Sequence, residues 1–221
     1  MESRRGRLVV FTKYPTAGMV KTRLIPALGA EGAAQLHRRL AEYTIAQAAD
    51  FLQSRSAREQ ALDINVEIRF AGADQPAMAD WLGTEYTYVH QGEGDLGDRM
   101  ARSISDGFAQ GYSAVILIGT DCPEVTPDLL SEAFSHLSTS DMVIGPALDG
   151  GYYLIGVCNN PGIEFSKLFE NIHWSTHEVL AKTLNNANSL SLKIKQLKVL
   201  SDIDTPEDLK NLDLYQFNSN M

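Results

Sequence analysis

Short apolar runs alternate with longer stretches of helical periodicity along most of the chain. The first run, residues 8–11, is continuously apolar, which is typical of a strand buried on both faces. Between residues 30 and 52 apolar side chains recur every three or four positions, which predicts a long amphipathic helix that returns the chain for a parallel strand. This alternation is the pattern of βα units, so we predict an α/β protein with a largely parallel sheet.

The same pattern predicts the other elements. Thr126 as N-cap, followed by Pro127, is a strong helix start signal, and Thr205 with Pro206 repeats it near the end of the chain. No internal repeat or low-complexity linker interrupts the pattern, so we expect one domain over residues 1–221. Strands are predicted at residues 7–12, 64–71, 86–90, 114–119, 142–144, 152–157 and 192–200. Helices are predicted at 30–52, 76–82, from the glycine-rich turn 91–97 through 108, at 126–137, at 176–184 and after 205.

Composition and charge exclude several classes of protein. The chain has 221 residues, 19 basic and 28 acidic side chains and a formal net charge of −9, whereas nucleic-acid binders normally present a basic face. No apolar run approaches the ~20 residues that span a bilayer, so we expect no membrane association. Cys122 and Cys158 have neither a zinc spacing nor a disulfide framework, which favours reduced thiols and a cytoplasmic location.

The charge is unevenly distributed, and this draws attention to the loop after the first strand. Residues 1–23 hold six basic side chains and one acidic one, a charge of +5. Lys13, Lys21 and Arg23 follow the strand end beside Gly18, and ligands of open α/β sheets bind beyond the carboxyl ends of strands. The loop matches neither a Walker motif nor a G-x-G-x-x-G pattern. We therefore predict phosphate binding here, with a solvated basic loop as the alternative.

Carboxylates after two predicted strands are candidates for a metal site. Asp121 follows the strand at 114–119, where a carboxylate can hold a divalent cation against the phosphates of a ligand. Asp202 and Asp204 are two positions apart and point the same way in an extended segment, so one of them can meet Asp121 as a second ligand. The alternative is a turn residue at 121 and a simple helix start at 205–208.

Two glycine-containing stretches are candidates for substrate contact. Gly150 and Gly151 permit close approach of a ligand, and Tyr152 can stack on a sugar or base, with a tight hairpin turn as the alternative. Asp149 beside them is a candidate base for the acceptor. Asp95 is the other candidate base, although it also suits an N-cap for the helix that follows.

Two further features are assigned no catalytic role. His173 and His177 are four apart, a spacing that zinc sites use, but no third ligand has a recognisable spacing. Cys122 has no histidine near it in the sequence, so we interpret it as a small buried residue rather than a nucleophile.

Taken in order, these segments resemble the GT-A-like nucleotide-diphospho-sugar transferases, and in particular a bacterial glycosyltransferase family of unknown function found beside radical-SAM and arsenosugar genes. The resemblance covers nearly the whole chain. The matching segments are F-T-K at 11–13, K-T-R-L at 21–24, G-T-D-C-P at 119–123, D-G-G-Y-Y at 149–153 and D-I-D-T-P-E-D-L at 202–209.

The resemblance implies a Rossmann-like three-layer α/β/α fold with a mostly parallel mixed sheet, an NDP-sugar or nucleotide, a small-molecule acceptor and Mg²⁺ or Mn²⁺. By similarity, Asp121 is the first metal ligand and Asp204 the second, while Lys13, Lys21 and Arg23 offset phosphate charge. The related nucleotidyltransferases start with L-A-A-G-x-G-x-R, which residues 12–18 lack. We therefore expect a metal-dependent glycosyltransferase, with a nucleotidyltransferase or a non-catalytic nucleotide-binding protein as alternatives.

Overall fold

Seven strands form one mixed sheet in the computed structural model, which describes residues 4–56 and 62–211. The strand order is β3-β2-β1-β4-β6-β5-β7, and every neighbouring pair is parallel except those of β6, which runs antiparallel to β4 and β5. The predicted mostly parallel sheet is confirmed. The strands are β1 (Arg4–Lys13), β2 (Leu62–Ala71), β3 (Thr87–His90), β4 (Ala114–Ile118), β5 (Met142–Pro146), β6 (Tyr152–Cys158) and β7 (Ile194–Gln196).

The helices cover both faces of this sheet. Alternate residues of β1 face opposite ways: Leu8 packs in a core beneath α1, α2 and α4, and Val9 in a second core beneath α3 and α5. Both residues are fully buried, as their continuous apolar run predicted, and the layers are α/β/α. The helices are α1 (Ile25–Ser56), α2 (Gln75–Leu82), α3 (Leu96–Ala109), α4 (Pro127–His136) and α5 (Val179–Ser189), with 3-10 helices at Thr22–Leu24, Phe165–Phe169 and Asp208–Asn211.

The sheet order creates a crevice between β1 and β4. From β1 the chain passes through α1 to β2 on one side, whereas β4 lies on the other side of β1 and is reached through α3 on the opposite face. Such a reversal of strand order is where open α/β sheets bind ligands, beyond the carboxyl ends of the strands. It brings the loop after Lys13 next to the segment after Ile118.

Several element boundaries differ from those predicted. α1 is counted from Ile25, but Gly29, with φ 70°, is not helical, so the long helix begins at residue 30 as predicted and ends at Ser56 rather than at 52. The last strand, expected over 192–200, is only Ile194–Gln196, although the Leu197 and Leu200 N–H groups still donate to carbonyls of β5. Thr126 does cap α4, since its side chain accepts a hydrogen bond from the Leu129 backbone.

The described helices include none that is both long enough and apolar enough to cross a membrane.

Candidate functional site

A cavity of about 840 Å³ opens at the carboxyl ends of β1 and β4. All the site residues predicted from the sequence line it except Gly18 and Gly150. They come from the loop after β1, the segment after β4, the β5–β6 turn, the start of α3 and the segment after β7. The predicted residues in its wall are Lys13, Lys21, Arg23, Asp95, Asp121, Asp149, Gly151, Tyr152 and Asp204.

Lys21 lies buried between the two predicted metal ligands. Its Nζ is 2.5 Å from Asp121 Oδ1 and 3.8 Å from Asp204 Oδ1, and it donates a hydrogen bond of 2.5 Å to the Ile203 carbonyl. The side chain is only 3% exposed. The backbone is left-handed, with φ 47° and ψ 43°, which costs a residue with a Cβ about 1–3 kcal/mol. Lys21 is therefore held against carboxylates rather than extended into solvent.

Asp204 is fixed from two sides. Arg23 Nη1 is 2.9 Å from its Oδ2, while the Asp208 carboxylate accepts hydrogen bonds from the Asp204 and Thr205 backbones and from the Thr205 hydroxyl. Burial raises the pKa of Asp208, but these hydrogen bonds outweigh it and the pKa is lowered. The segment is joined to β4 because the Ile203 N–H donates to the Asp121 carbonyl at 2.9 Å. Residues far apart in sequence thus bring Asp204 next to Asp121.

Two more carboxylates lie at the same end of the cavity. Burial, reinforced by the charge of Asp149, raises the pKa of Asp202 to about 6. Asp149 is exposed, and its Oδ1 accepts a hydrogen bond of 2.8 Å from the Gly151 N–H. Four carboxylates singled out from the sequence, those of Asp121, Asp149, Asp202 and Asp204, therefore line one wall of the cavity.

The donor set around Lys21 suits a hard divalent cation that is completed by a ligand. Among the described residues no group of three or more His, Cys, Asp or Glu side chains is arranged to hold a metal ion. Asp121 and Asp204 do form a pair, with the Lys21 ammonium between them, and their side chains are 50% and 33% exposed. Mg²⁺ is commonly bound by one or two carboxylates together with phosphate oxygens and water.

His37 of α1 was not identified from the sequence. Its Nε2 lies 2.9 Å from the Lys13 carbonyl, and burial lowers its pKa, so the ring is neutral and donates this hydrogen bond. It thereby connects α1 to the end of β1. The sequence does contain a signal for its burial, because His37 is spaced at helical intervals from Ala33 and Leu40 on the buried face of α1.

Gln91 also escaped the sequence analysis, and it joins three elements at the floor of the cavity. Its buried amide donates to the carbonyls of Thr12 and Arg69, each at 3.0 Å, and its Oε1 accepts from Arg99 of α3 at 3.3 Å. Arg99 lines the cavity and adds a cation to those expected.

Three predicted site residues have structural roles. Asp95 caps α3, since its carboxylate accepts from the Asp98 N–H at 2.9 Å while the Asp98 carboxylate accepts from the Asp95 N–H. Gly18 makes a turn at φ 79° away from the cavity wall. Gly150, at φ 90°, lies against the backbone of His177, where a Cβ would come within 2.6 Å of the His177 Cα. Close approach to protein backbone, not to a ligand, therefore requires glycine at 150.

The opposite wall is aromatic. Tyr152 lies over Met100, with its hydroxyl 3.9 Å from the sulfur, and Trp174 lies over Gly97, where a Cβ would come within 2.7 Å of the indole. Burial raises the pKa of Tyr152, so its phenol stays protonated. Burial, with Asp202 and Asp121 nearby, likewise raises the pKa of Cys122 and keeps it a thiol.

The mixed sheet, with a cavity of basic and acidic side chains where strand order reverses between β1 and β4, belongs to the nucleotide-diphospho-sugar transferase class of α/β fold, as the first solved structure described below shows. Within that class, the model of the family described as uncharacterized protein conserved in bacteria (DUF2064) matches residues 39–176. The chain belongs to this family. A search of curated proteins found no match.

Solved structures support the fold assignment. A protein from Desulfovibrio desulfuricans G20, provisionally named a nucleotide-diphospho-sugar transferase, is 32% identical, with a TM-score of 0.80 over 97% of this chain and 88% of that one. The fold is shared with 4-diphosphocytidyl-2C-methyl-D-erythritol synthase from Anaerococcus prevotii DSM 20548, at 11% identity and a TM-score of 0.60 over 97% of each chain. It is also shared with the inositol-1-phosphate CTP transferase of T. maritima, at 16% identity and a TM-score of 0.56 over 98% of this chain and 96% of that one.

Proposed function

We propose that this protein is a transferase that moves a sugar from an NDP-sugar to a small acceptor in the cavity between β1 and β4. The observation that carries the proposal is the cluster of Lys21, Arg23, Asp121 and Asp204 at the point where strand order reverses. Alternating cations and carboxylates at such a point suit a diphosphate that is accompanied by a cation. The 32% identical relative, provisionally named a nucleotide-diphospho-sugar transferase, supports the same class of substrate.

Asp121 and Asp204 would hold Mg²⁺ or Mn²⁺ in this proposal. When bound, such a metal ion offsets negative charge on the phosphate oxygens of the donor. Lys13 and Arg23, both exposed in the cavity wall, add positive charge on the protein side. Negative charge that develops on the departing diphosphate is then stabilised by positive groups that are already in position. Such preorganised groups need not rearrange during the reaction, which makes the stabilisation effective.

The acceptor is activated by a carboxylate. In the transfer step an acceptor hydroxyl oxygen bonds to the anomeric carbon, the bond from that carbon to the diphosphate breaks, and the nucleoside diphosphate leaves with the electron pair. The hydroxyl proton passes to Asp149, which is exposed in the cavity and uses one oxygen for the Gly151 N–H. We prefer Asp149 to Asp95 because the Asp95 carboxylate caps α3.

Donor hydrolysis and binding test this proposal. The protein is incubated with a panel of NDP-sugars and Mn²⁺, and release of nucleoside diphosphate is measured beside thermal stabilisation by each donor. We expect one donor to raise the midpoint and to be turned over, and Asp121→Asn to lose turnover. Asp128→Asn, an exposed carboxylate of α4 outside the cavity wall, is the matched control and should retain it. Absence of binding and hydrolysis across the panel contradicts the proposal.

Nucleotidyl transfer to a phosphorylated metabolite is the second candidate. It is favoured by the fold shared with two cytidylyl-transferring enzymes, although residues 12–18 lack the glycine-rich loop of that group. Release of pyrophosphate from CTP, GTP or UTP in the presence of sugar or polyol phosphates would support it. Metal-dependent nucleotide binding without any turnover would instead indicate a non-catalytic nucleotide-binding protein. The narrower resemblance, to the family beside radical-SAM and arsenosugar genes, stays a prediction.

A further inference from the structure

The ammonium group of Lys21 occupies the place between Asp121 and Asp204 where a free metal ion would otherwise be attracted. Its nitrogen touches one carboxylate at 2.5 Å and lies 3.8 Å from the other. Mg²⁺ binds carboxylate oxygens at about 2.0–2.1 Å. A metal ion bound to the same oxygen of Asp121 would therefore lie at most about 4.6 Å from the ammonium nitrogen, the sum of the two distances. Two cations at that separation near a protein surface repel each other strongly.

Lys21 is built into this position. Its side chain is 3% exposed, and the hydrogen bond to the Ile203 carbonyl anchors the nitrogen on the segment that also carries Asp204. The left-handed backbone at Lys21 is a cost that the neighbouring contacts must offset. A flexible surface lysine would show neither feature.

The four side chains joined by ion pairs at this point balance one another in charge, while the carboxylates of Asp149 and Asp202 lie beside them. Asp121 and Asp204 contribute two negative charges, and Lys21 and Arg23 contribute two positive ones. A divalent cation added alone would have to share Asp121 and Asp204 with the two side-chain cations that already pair with them. One that arrives with a diphosphate brings its own compensating negative charge.

We propose that Lys21 is a tethered counter-cation that excludes free divalent metal from the Asp121 and Asp204 pair, so that metal binds only together with a phosphate-bearing ligand. This inference rests on the proposed function for the identity of the ligand, a nucleoside diphosphate or its sugar ester. Its central claim concerns metal binding by the protein alone. Lys21 acts through the two carboxylates and is a positioning residue.

Mn²⁺ binding without nucleotide tests the claim directly. Free Mn²⁺ is followed by its electron paramagnetic resonance signal during titration of the wild-type protein, Lys21→Met and Lys167→Met. Lys167 forms an exposed ion pair with Glu164 outside the cavity and is the matched control for loss of a lysine charge. We expect weak binding by wild type and Lys167→Met, and binding at least about tenfold tighter by Lys21→Met, because the nearby positive charge is gone.

Two further titrations test where the metal ion binds and whether a nucleotide promotes its binding. Adding Asp204→Asn to Lys21→Met should abolish the gain if the metal ion occupies the carboxylate pair. In wild type, UDP or another nucleoside diphosphate should raise Mn²⁺ affinity by about tenfold or more, after subtraction of the Mn²⁺ that the same nucleotide binds without protein. Lys21→Gln replaces Lys21→Met if circular dichroism shows that Lys21→Met does not fold. The titration of the wild-type protein with nucleotide requires no variant.

The inference is overturned if removal of the lysine charge leaves Mn²⁺ affinity unchanged or weaker, or if wild type binds free Mn²⁺ as tightly as it does with nucleotide. Failure of the proposed function has a different signature. In that case no nucleotide or NDP-sugar binds, while the comparison of metal affinity between wild type and Lys21→Met still gives its answer.

Discussion

Gly150→Ala should destabilise the protein although Gly150 does not line the cavity. Its φ of 90° is open to glycine and costs an alanine about 1–3 kcal/mol. A Cβ would also collide with the backbone of His177, and the turn must move away from α5 to relieve this contact. That movement breaks the 2.8 Å hydrogen bond from the Leu180 N–H to the Gly150 carbonyl, worth about 1 kcal/mol. The expected loss is thus about 2–4 kcal/mol.

Thermal unfolding provides the assay. For a chain of this size, a loss of about 3 kcal/mol lowers the midpoint by roughly 6–12 °C. Gly119→Ala is the matched control: the φ of Gly119 lies outside the left-handed region, and no neighbouring atom lies within 4 Å of the added methyl group. It should change the free energy of unfolding by less than about 0.5 kcal/mol. Equal stability of the two variants would refute the argument from close approach.

Three further predictions concern residues that position the site or the sheet. Burial lowers the pKa of His37, so its protonation favours the unfolded chain, and stability should fall by up to about 1.4 kcal/mol per pH unit as pH drops below 6.5. Urea titrations at pH 7.5 and 5.5 should show a smaller fall for His37→Gln; an identical fall would contradict this. Asp208→Ala removes the carboxylate that accepts three hydrogen bonds from Asp204 and Thr205, so it should lower the free energy of urea unfolding by about 1–2 kcal/mol. A loss under about 0.3 kcal/mol would contradict a positioning role for these hydrogen bonds. Glu67→Gln leaves the fully buried Arg69 with a weakened partner and should cost about 3 kcal/mol, and a change below 1 kcal/mol would exclude a stabilising ion pair.

The sheet and most of the cavity wall could be predicted from the sequence because their signals are local. A continuous apolar run marks β1, and Thr126 with Pro127 marks the start of α4. Since parallel strands end at one edge of a sheet, residues just after β1 and β4 had to meet there. Placing Lys13 and Asp121 on one cavity required only this reasoning.

What could not be predicted depends on contacts between distant parts of the chain. Lys21 was expected to face a phosphate, and its burial beside Asp121 follows from an anchor 182 positions away, the carbonyl of Ile203. Arg69 is one of the polar residues that alternate with apolar ones in β2, yet its side chain is only 1% exposed and is paired with Glu67 and with Asp106 of α3. No local periodicity shows which buried charges will find partners.

The length of β1 has a practical consequence. The strand runs from Arg4 to Lys13, and ten residues at about 3.3 Å each place its two ends roughly 30 Å apart. Lys13 lies at the rim of the cavity, so the other end of the strand, at Arg4, lies at the opposite edge of the molecule from the cavity. A label or surface attachment at that end of β1 would leave the cavity open, which makes surface-based binding screens feasible.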